Sequence, residues 1–491
     1  MVLAELSSAT TPPPPLPRTA QVVHVLVGEL GWKRVKRPPC DALFVKRWKV
    51  PWPMLDGGAG TGCAVGAVNH IRGTAEITVK ARMCRSLRGW RAERGAPCPE
   101  AGPDPPTALL IPGAVGGDGT GATVASSSWA PRDERDRLAG WERDVIRAGG
   151  VPPIWIVKPT AGAHGAGIAI VASAAAACAH VDSLSLAPAA PATRVAAVSA
   201  STSGSSFPPS ATSKTTERPW RVARAGAAKP SPAWVAQRLV ARPLLTPDQR
   251  KFDVRAVCCL THDGRRLWWP QYVLRVASKP HPDLLAGAAA STLSDRAALI
   301  TNHCVQRAEG GDGYGAQEEG NELFRPALLS WVGATRLALI ERGMRDCARA
   351  ALGACHDVCR PPEGWGRGGG PPDGSDSTGG GPGGTEGRGG VGRSGRCRGW
   401  QVLGLDLIVD SCDRVWLLEC NGSAAIADRL APALARALAA DVVGPAALGR
   451  TAAAARARWR WGDDWRGCGG DEDEGGARWV DLGVPEQHRA G

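Results

Sequence analysis

The chain has 491 residues, a formal net charge of +12 and 43% hydrophobic residues, with 63 glycines, 40 prolines and 15 cysteines. No apolar run is long enough to cross a bilayer, and the cysteines are scattered rather than spaced as an extracellular disulfide framework, so an intracellular, cytoplasmic protein is expected. The length allows two or three domains, and the positive charge calls for an acidic partner: nucleic acid, an anionic membrane or an acidic protein tail.

In chain order, residues 1–92 read as a small N-terminal domain. It opens on a proline cluster at 12–15 instead of the basic-then-apolar order of a signal peptide, and it carries basic runs at 33–37 and 46–49. Residues 93–128, rich in Gly, Pro, Ala and Ser, read as a disordered linker. A central domain over 129–260 holds a strand at 154–158, a glycine-rich turn, a returning strand at 168–171 and a buried strand at 234–239. An insertion at about 174–232 starts with an alanine run and continues as Ser/Thr/Pro/Ala low complexity. Strands at 252–260 and 267–274 flank a turn at 262–264. The C-terminal domain, 261–448, contains a glycine-dominated insertion at 361–398. After it come a hairpin of strands at 402–409 and 415–419 and an alanine-rich helix at 424–443 interrupted by Pro432. Residues 449–491 read as a disordered tail. Cys347, Cys355, His356 and Cys359 read as a cysteine-rich helix turn rather than zinc ligands, because no second paired cluster accompanies them. The fold class is α+β with antiparallel hairpins and without a strict βαβ repeat.

Three groups of residues carry chemistry. The C-terminal hairpin sets Asp406 inside an apolar run and ends its second strand with Glu419-Cys420-Asn421, where alternation puts Glu419 and Asn421 on one face. A buried carboxylate is costly unless paired or metal-bound, and two carboxylates with an amide make an oxygen-ligand site suited to magnesium on ATP phosphates. The stretch from Trp155 to Ile168 brings Lys158 and then glycines at Gly162, Gly165 and Gly167, so backbone and ammonium can approach phosphate oxygens. No Gly-Lys-Ser/Thr follows, and no helix, which excludes a Walker loop and a Rossmann fingerprint. Lys251, Asp253 and Arg255 alternate onto one face of a strand, with Arg275 on the next; that charged face needs anionic partners.

These pieces together resemble the ATP-grasp core of the tubulin–tyrosine ligase-like family. The ordered matches run from Trp155–Ile168 through Val235–Leu245, Arg250–Arg255, Val273–Arg275, Leu299–Gln306 and Trp400–Asn421. Leu299-Ile-Thr-Asn-His-Cys-Val-Gln306 with Glu318-Glu-Gly-Asn-Glu-Leu-Phe324, Gly31–Lys36 with Val68–Gly73, and Asp133-Glu134-Arg135 point within the family to tyrosine addition. The resemblance implies an ATP-grasp fold with a small N-terminal domain and low-complexity loop insertions. Lys158 and Lys80 would contact nucleotide phosphates, Gln237, Arg238 and Leu239 would form the adenine hinge, and Asp406, Glu419 and Asn421 would hold two magnesium ions. Lys251, Asp253, Arg255 and Arg275 would line the phosphate and acceptor end, with Thr301 and Asn302 beside them. Lys33, Arg34, Arg47, Lys49 and Arg72 would face αβ-tubulin.

The pattern departs from the family at His164, where a lysine is usual, making that phosphate contact pH-dependent. It departs again at Leu239 and Cys420, at Lys279, and after Asn421, where Gly-Ser-Ala-Ala lacks a proline. The implied reaction joins free L-tyrosine to the α-tubulin C-terminus with ATP and Mg2+, through an acyl phosphate, in the cytoplasm and at the cytoskeleton. The alternatives are glutamate or glycine addition, or a silent tubulin-binding protein. Neither zinc-finger spacing nor aromatic-and-basic RNA-binding strands supports nucleic acid as the partner.

Overall fold

A computed structural model describes residues 2–5, 33–35, 40–44, 65–71, 73–94, 104–112, 133–160, 165, 167–186, 233–285, 289–355, 359, 398–422, 424–444, 446 and 479–483. Its N-terminal elements are β1 (Val2–Glu5), β2 (Lys33–Val35), β3 (Cys40–Phe44), β4 (Val65–Val68), α1 (Ala75–Thr78) and α2 (Lys80–Ala92). Next come β5 (Thr107–Leu110), α3 (Arg135–Arg147), β6 (Trp155–Pro159), β7 (Ala169–Val171), α4 (Ala174–Leu186) and β8 (Trp234–Arg238). The longest strands, β9 (Arg250–Thr261) and β10 (Arg266–Pro280), precede α5 (Ala290–Ser294), α6 (Arg296–Leu299), α7 (His303–Glu309), β11 (Glu322–Phe324) and α8 (Arg325–Ala354). The chain continues through β12 (Arg398–Val409), β13 (Val415–Asn421), α9 (Ala431–Leu438) and β14 (Val480–Asp481).

Two sheets result. The larger runs β11-β10-β9-β12-β4-β3-β1-β2, with β13 paired to β12 and β14 to β10. Its C-terminal half is antiparallel, as the hairpin signals indicate, but β1 to β4 are parallel and join β12 through Ala67 and Val68 beside Arg398 and Gly399. The smaller sheet, β5-β8-β6-β7, is antiparallel throughout.

Strand alternation sorts the core. On one face of the larger sheet, Val254, Ala256, Cys258, Leu403, Leu405, Leu407 and Leu417 pack against Leu337, Ile340 and Met344 of α8 and against Ile77, Met83 and Leu87 from α1 and α2. On the other face Val257 and Trp269 meet Leu434 of α9, and Cys259 meets Ala435 and Leu438. In β9 this second face continues as Arg255, Asp253 and Lys251, all buried, so the charged residues begin where the apolar contacts with α9 end. In the smaller sheet Trp155, Val157, Trp234 and Ala236 pack on Leu138, Ala177 and Val181 of α3 and α4. Its opposite face meets Ala81 and Cys84 of α2 through Leu109 and Val235.

Several sequence expectations change here. The alanine run assigned to an insertion from 174 is helix α4: alanine is the best helix former, and Ala177 and Val181 gain a core on Trp155 and Trp234. Within the span assigned to a linker lies β5, whose Thr107–Leu110 run pairs β8 and is buried. In the span assigned to a disordered tail, β14 pairs Leu267 and Trp268, and Trp479 lies against Trp269 at 5.5 Å between ring centroids. The helix expected over 424–443 begins at Ala431, with Pro432 in its first turn, where a missing N–H costs nothing, so proline starts the helix instead of interrupting it. It ends as a π turn, Ala439–Val443. Cys347 of α8 and Cys355 and Cys359 after it are buried in the core, His356 lies outside the described residues, and among the described residues no group of three or more His, Cys, Asp or Glu is placed to hold a metal.

Candidate active site

The β12–β13 hairpin is in register at Leu407↔Leu417 and at Asp406↔Glu419, so Leu418 is an extra residue. This bulge reverses the phase of β13. Val415 and Leu417 enter the core, Cys420 does so after the bulge, and Glu419 and Asn421 turn to the face occupied by Asp406. Asn421 Nδ2 donates to Glu419 Oε1 at 3.0 Å and lies 3.4 Å from Asp406 Oδ2. Two carboxylates and an amide gathered this way are hard oxygen donors, and they fit magnesium carried on nucleotide phosphates better than a soft transition metal.

Cross-strand register continues this set over five strands. Glu322 of β11 is opposite Arg275 of β10, which is opposite Asp253 of β9; two residues along β9, Arg255 is opposite Asp406 of β12, which is opposite Glu419 of β13. Directly opposed residues share a face, so the sheet displays one charged row, alternating in sign from Glu322 to Asp406 and ending on the adjacent carboxylates Asp406 and Glu419. Arg255 grips Asp406 with Nε at 2.5 Å and Nη2 at 3.0 Å. Arg275 holds Asp253 at 2.7 and 2.5 Å and reaches Asp406 Oδ2 at 3.0 Å. Thr301 donates to Asp253 Oδ2 at 2.6 Å. Burial alone would raise the Asp406 pKa, but Arg255 and Arg275 hold the carboxyl well below the usual carboxylate range.

Three lysines join the row: Lys158 from the smaller sheet, Lys80 from α2 and Lys251 from β9. Lys158, buried on β6, donates to Gln237 Oε1 of β8 at 2.9 Å. Burial lowers its pKa, Glu419 and Asp406 oppose the shift, and Lys80 adds to it, which sets the Lys158 ammonium among the groups of the larger sheet. Lys80, at the start of α2, pairs with Glu419 Oε2 at 3.1 Å. Lys251 donates to the Leu299 carbonyl at 2.8 Å; burial pushes it down to about 8, with Asp253 opposing and Lys158 reinforcing. Because the folded pKa lies below the ordinary 10.5, the charged ammonium is disfavoured in the fold, and its cost is relieved as pH rises through about 8. The same deprotonation removes positive charge from the cleft. Nucleotide affinity is therefore expected to fall above pH 8, and Lys251→Arg is expected to remove that decline; titration calorimetry at pH 7, 8 and 9 checks it.

Gly165 of the glycine-rich stretch lies against α6 and α7. Gly165 adopts φ +74°, and its carbonyl accepts from Arg296 Nη2 at 2.9 Å. A Cβ there would come within 2.5 Å of Val305 Cγ2. Gly165→Ala is therefore expected to displace the turn and weaken nucleotide binding about tenfold or more, from strain of roughly 1–3 kcal/mol. Measured nucleotide Kd checks this, and an unchanged value contradicts it. Gly167 has φ +72°, whereas Gly162 and His164 lie outside the described residues.

The other expected residues divide similarly. The N–H groups of Arg238 and Leu239 donate at 2.8 Å to the carbonyls of Pro106 and Ile154. Asn302 stands at the N-cap position of α7 without a side-chain cap bond, and its Cβ flanks Gly165. Lys33 and Arg34 are on β2; Arg47, Lys49 and Arg72 lie outside the described residues.

Sequence reasoning gave no structural role to several residues that hold the cleft in shape. Arg88 of α2 binds the Glu134 carboxylate and the Thr107 carbonyl, tying the helix that begins with Lys80 to β5. Glu134 was visible only as the middle of Asp133-Glu134-Arg135. Arg250 and Glu318 form a buried pair at 2.7 and 2.8 Å. Asn321, at φ +55°, donates to the Val276 carbonyl at 3.0 Å and to Ser278 Oγ at 2.9 Å.

The family model described as the tubulin-tyrosine ligase family matches residues 61–330 of the 491. The span runs from just before β4 into the second turn of α8. It includes Lys80, Lys158 and the Lys251–Arg275 group and stops before the β12–β13 hairpin.

Proposed function

Because this chain belongs to the tubulin-tyrosine ligase family, a family of ATP-dependent ligases that act on tubulin, we propose that it joins free L-tyrosine to the C-terminal carboxylate of detyrosinated α-tubulin. The observation that carries the reading is the facing of two charge sets. Lys158 and Lys80 approach from one side, and Arg255 and Arg275 arise from the charged row that also bears Asp406 and Glu419. Fixed cations in a buried cleft lower the energy of a phosphoryl group in transfer, because they need no reorganisation when charge develops. In this reading the γ-phosphoryl of ATP passes to the tubulin carboxylate, giving an acyl phosphate, and the tyrosine amine displaces phosphate to leave a peptide bond.

Each residue has a task. Lys158 and Lys80 orient and neutralise the nucleotide phosphates, and the turn at Gly165 and Gly167 permits close approach of backbone. Asp406, Glu419 and Asn421 are the residues that would hold magnesium, which supplies charge neutralisation on the phosphates when bound. Arg255 and Arg275 are themselves aligned by Asp406 and Asp253, so their guanidiniums are in place before the acceptor carboxylate arrives. The basic N-terminal residues steer the acidic tubulin tail, an attraction that weakens with salt. Tyrosine as the donor is favoured over glutamate or glycine by the Leu299–Gln306 and Glu318–Phe324 stretches, which resemble the tyrosine-adding branch.

Incorporation of labelled tyrosine, glutamate or glycine into detyrosinated αβ-tubulin with ATP and Mg2+ tests the reading. Tyrosine alone is expected. Glutamate or glycine would transfer the chain to a sister activity, and binding of tubulin without incorporation of any of the three would make it a silent binder.

A further inference from the structure

We propose that Arg296 is a positioning residue for the nucleotide phosphates, holding the glycine-rich stretch at Gly165 from a segment that is itself anchored on the charged row; this rests on the ligase reading above. Gly165 has no side chain to fix it and sits at φ +74°, a conformation that glycine enters and leaves at little cost. Its position therefore depends on what surrounds it. Arg296 Nη2 donates to the Gly165 carbonyl at 2.9 Å, a charge-assisted bond, beside a longer one from the Ile168 N–H at 3.4 Å. Arg296 Nη1 lies 3.3 Å from Glu309 Oε1, so both terminal nitrogens of the guanidinium are engaged. The other restraint is steric: Val305 stands so close that a Cβ on Gly165 would come within 2.5 Å of its Cγ2.

The segment that carries Arg296 and Val305 is bound to the larger sheet. Lys251 donates to the Leu299 carbonyl at 2.8 Å, and Thr301 donates to Asp253 at 2.6 Å. Gln306 accepts the Ser278 N–H at 2.7 Å and donates to the Ala297 carbonyl at 3.0 Å. Toward the smaller sheet, Leu299 and Val305 belong to one apolar cluster with Ile156, Ile168 and Ile170 around the β6–β7 hairpin. Residues 296–306 thus bridge the two sheets, and Arg296 is where a charge on that bridge meets the glycine stretch.

The contact has a chemical consequence. Lys158 and Lys80 meet phosphates with their own charge, whereas Arg296 acts through the backbone of Gly165. A carbonyl oxygen repels phosphate oxygens, and one tied to a guanidinium is kept from turning toward them. Loss of Arg296 therefore weakens ligands in proportion to the phosphates they bring and leaves the grip on base and ribose as it was.

Two ligands separate this role from a structural one. Adenosine has no phosphate, whereas the non-hydrolysable analogue adenylyl imidodiphosphate with Mg2+ carries the whole chain. Arg296→Met removes the donor and keeps the apolar stem; the side chain is 30% exposed, so the variant is expected to fold. It is expected to weaken analogue binding about tenfold, the loss of one charge-assisted hydrogen bond, with adenosine affinity within about twofold of wild type. In turnover the KM for ATP is expected to rise by a similar factor, with kcat within a few-fold. Arg296→Lys restores a cationic donor and is expected to recover part of the loss. Wild-type analogue affinity in Arg296→Met overturns the proposal, and so does an equal loss for both ligands, which marks a general structural role. Failure of Arg296→Lys to improve on Arg296→Met removes the donor as the cause and overturns it too. If wild type binds neither ligand, the ligase reading fails and this proposal with it.

Discussion

Asp406→Asn is expected to abolish ligation in a chain that still folds, and Asp406→Ala to abolish it and destabilise the fold by about 3–5 kcal/mol. Asp406 stands at the meeting point of the site: Arg255 and Arg275 both bind it, Asn421 approaches it, and Glu419 is its cross-strand partner. Alanine leaves both guanidiniums without that carboxylate in a buried setting, and an orphaned buried charge is the costly outcome. Asparagine keeps the shape and one acceptor oxygen but removes the negative charge. It therefore spares more of the packing and still deprives the cleft of its central metal-suited ligand. Thermal unfolding monitored beside ligation rates separates the two effects. Ligation by Asp406→Asn within a few-fold of wild type would contradict the placing of chemistry at this row.

Lys158→Met is expected to reduce kcat/KM for ATP by about 100-fold or more while leaving thermal stability equal to or above that of wild type. The two outcomes share one cause. Lys158 is buried, and desolvation lowers its pKa, so its charged form costs stability in the folded chain at neutral pH. Methionine fills the space of the stem without the charge. It leaves Gln237 without the Lys158 hydrogen bond, though Gln237 keeps its contact with Thr107. Function is thereby held at the expense of stability, the usual relation where an active site concentrates like charge. A melting temperature several degrees lower, with nucleotide kinetics intact, would make Lys158 a structural residue.

Much of this was readable in the sequence because the relevant pattern is local. The alternation of Lys251, Asp253 and Arg255 with Phe252, Val254 and Ala256 fixes which face of β9 is charged, and β9 runs without interruption from Arg250 to Thr261. The glycines at 165 and 167 need positive φ, which glycine adopts freely. What failed to show was non-local. The bulge at Leu418 sets the phase of Glu419, yet a run of Val-Trp-Leu-Leu-Glu-Cys-Asn reads as plain alternation until its partner strand is known. Glu322 joins the charged row only by its register against Arg275, far earlier in the chain. The helix α4 was hidden because an alanine run beside low complexity has the composition of a linker, and its burial against two tryptophans cannot be read from composition. Likewise the partners of β14 lie more than two hundred residues away, a pairing that no window of sequence contains.

The central claim is that the tubulin carboxylate is activated by phosphoryl transfer in this cleft, and oxygen tracing tests it most directly. Cleavage of the terminal tyrosine from α-tubulin by a carboxypeptidase in H2-18O leaves 18O in the new C-terminal carboxylate. Religation with tyrosine, ATP and Mg2+ is then followed by mass spectrometry of the released phosphate. An acyl phosphate requires one carboxylate oxygen to depart with phosphate, so 18O is expected in the phosphate in step with ligation and is expected to be absent with Asp406→Asn. Ligation that releases phosphate free of 18O would contradict the mechanism.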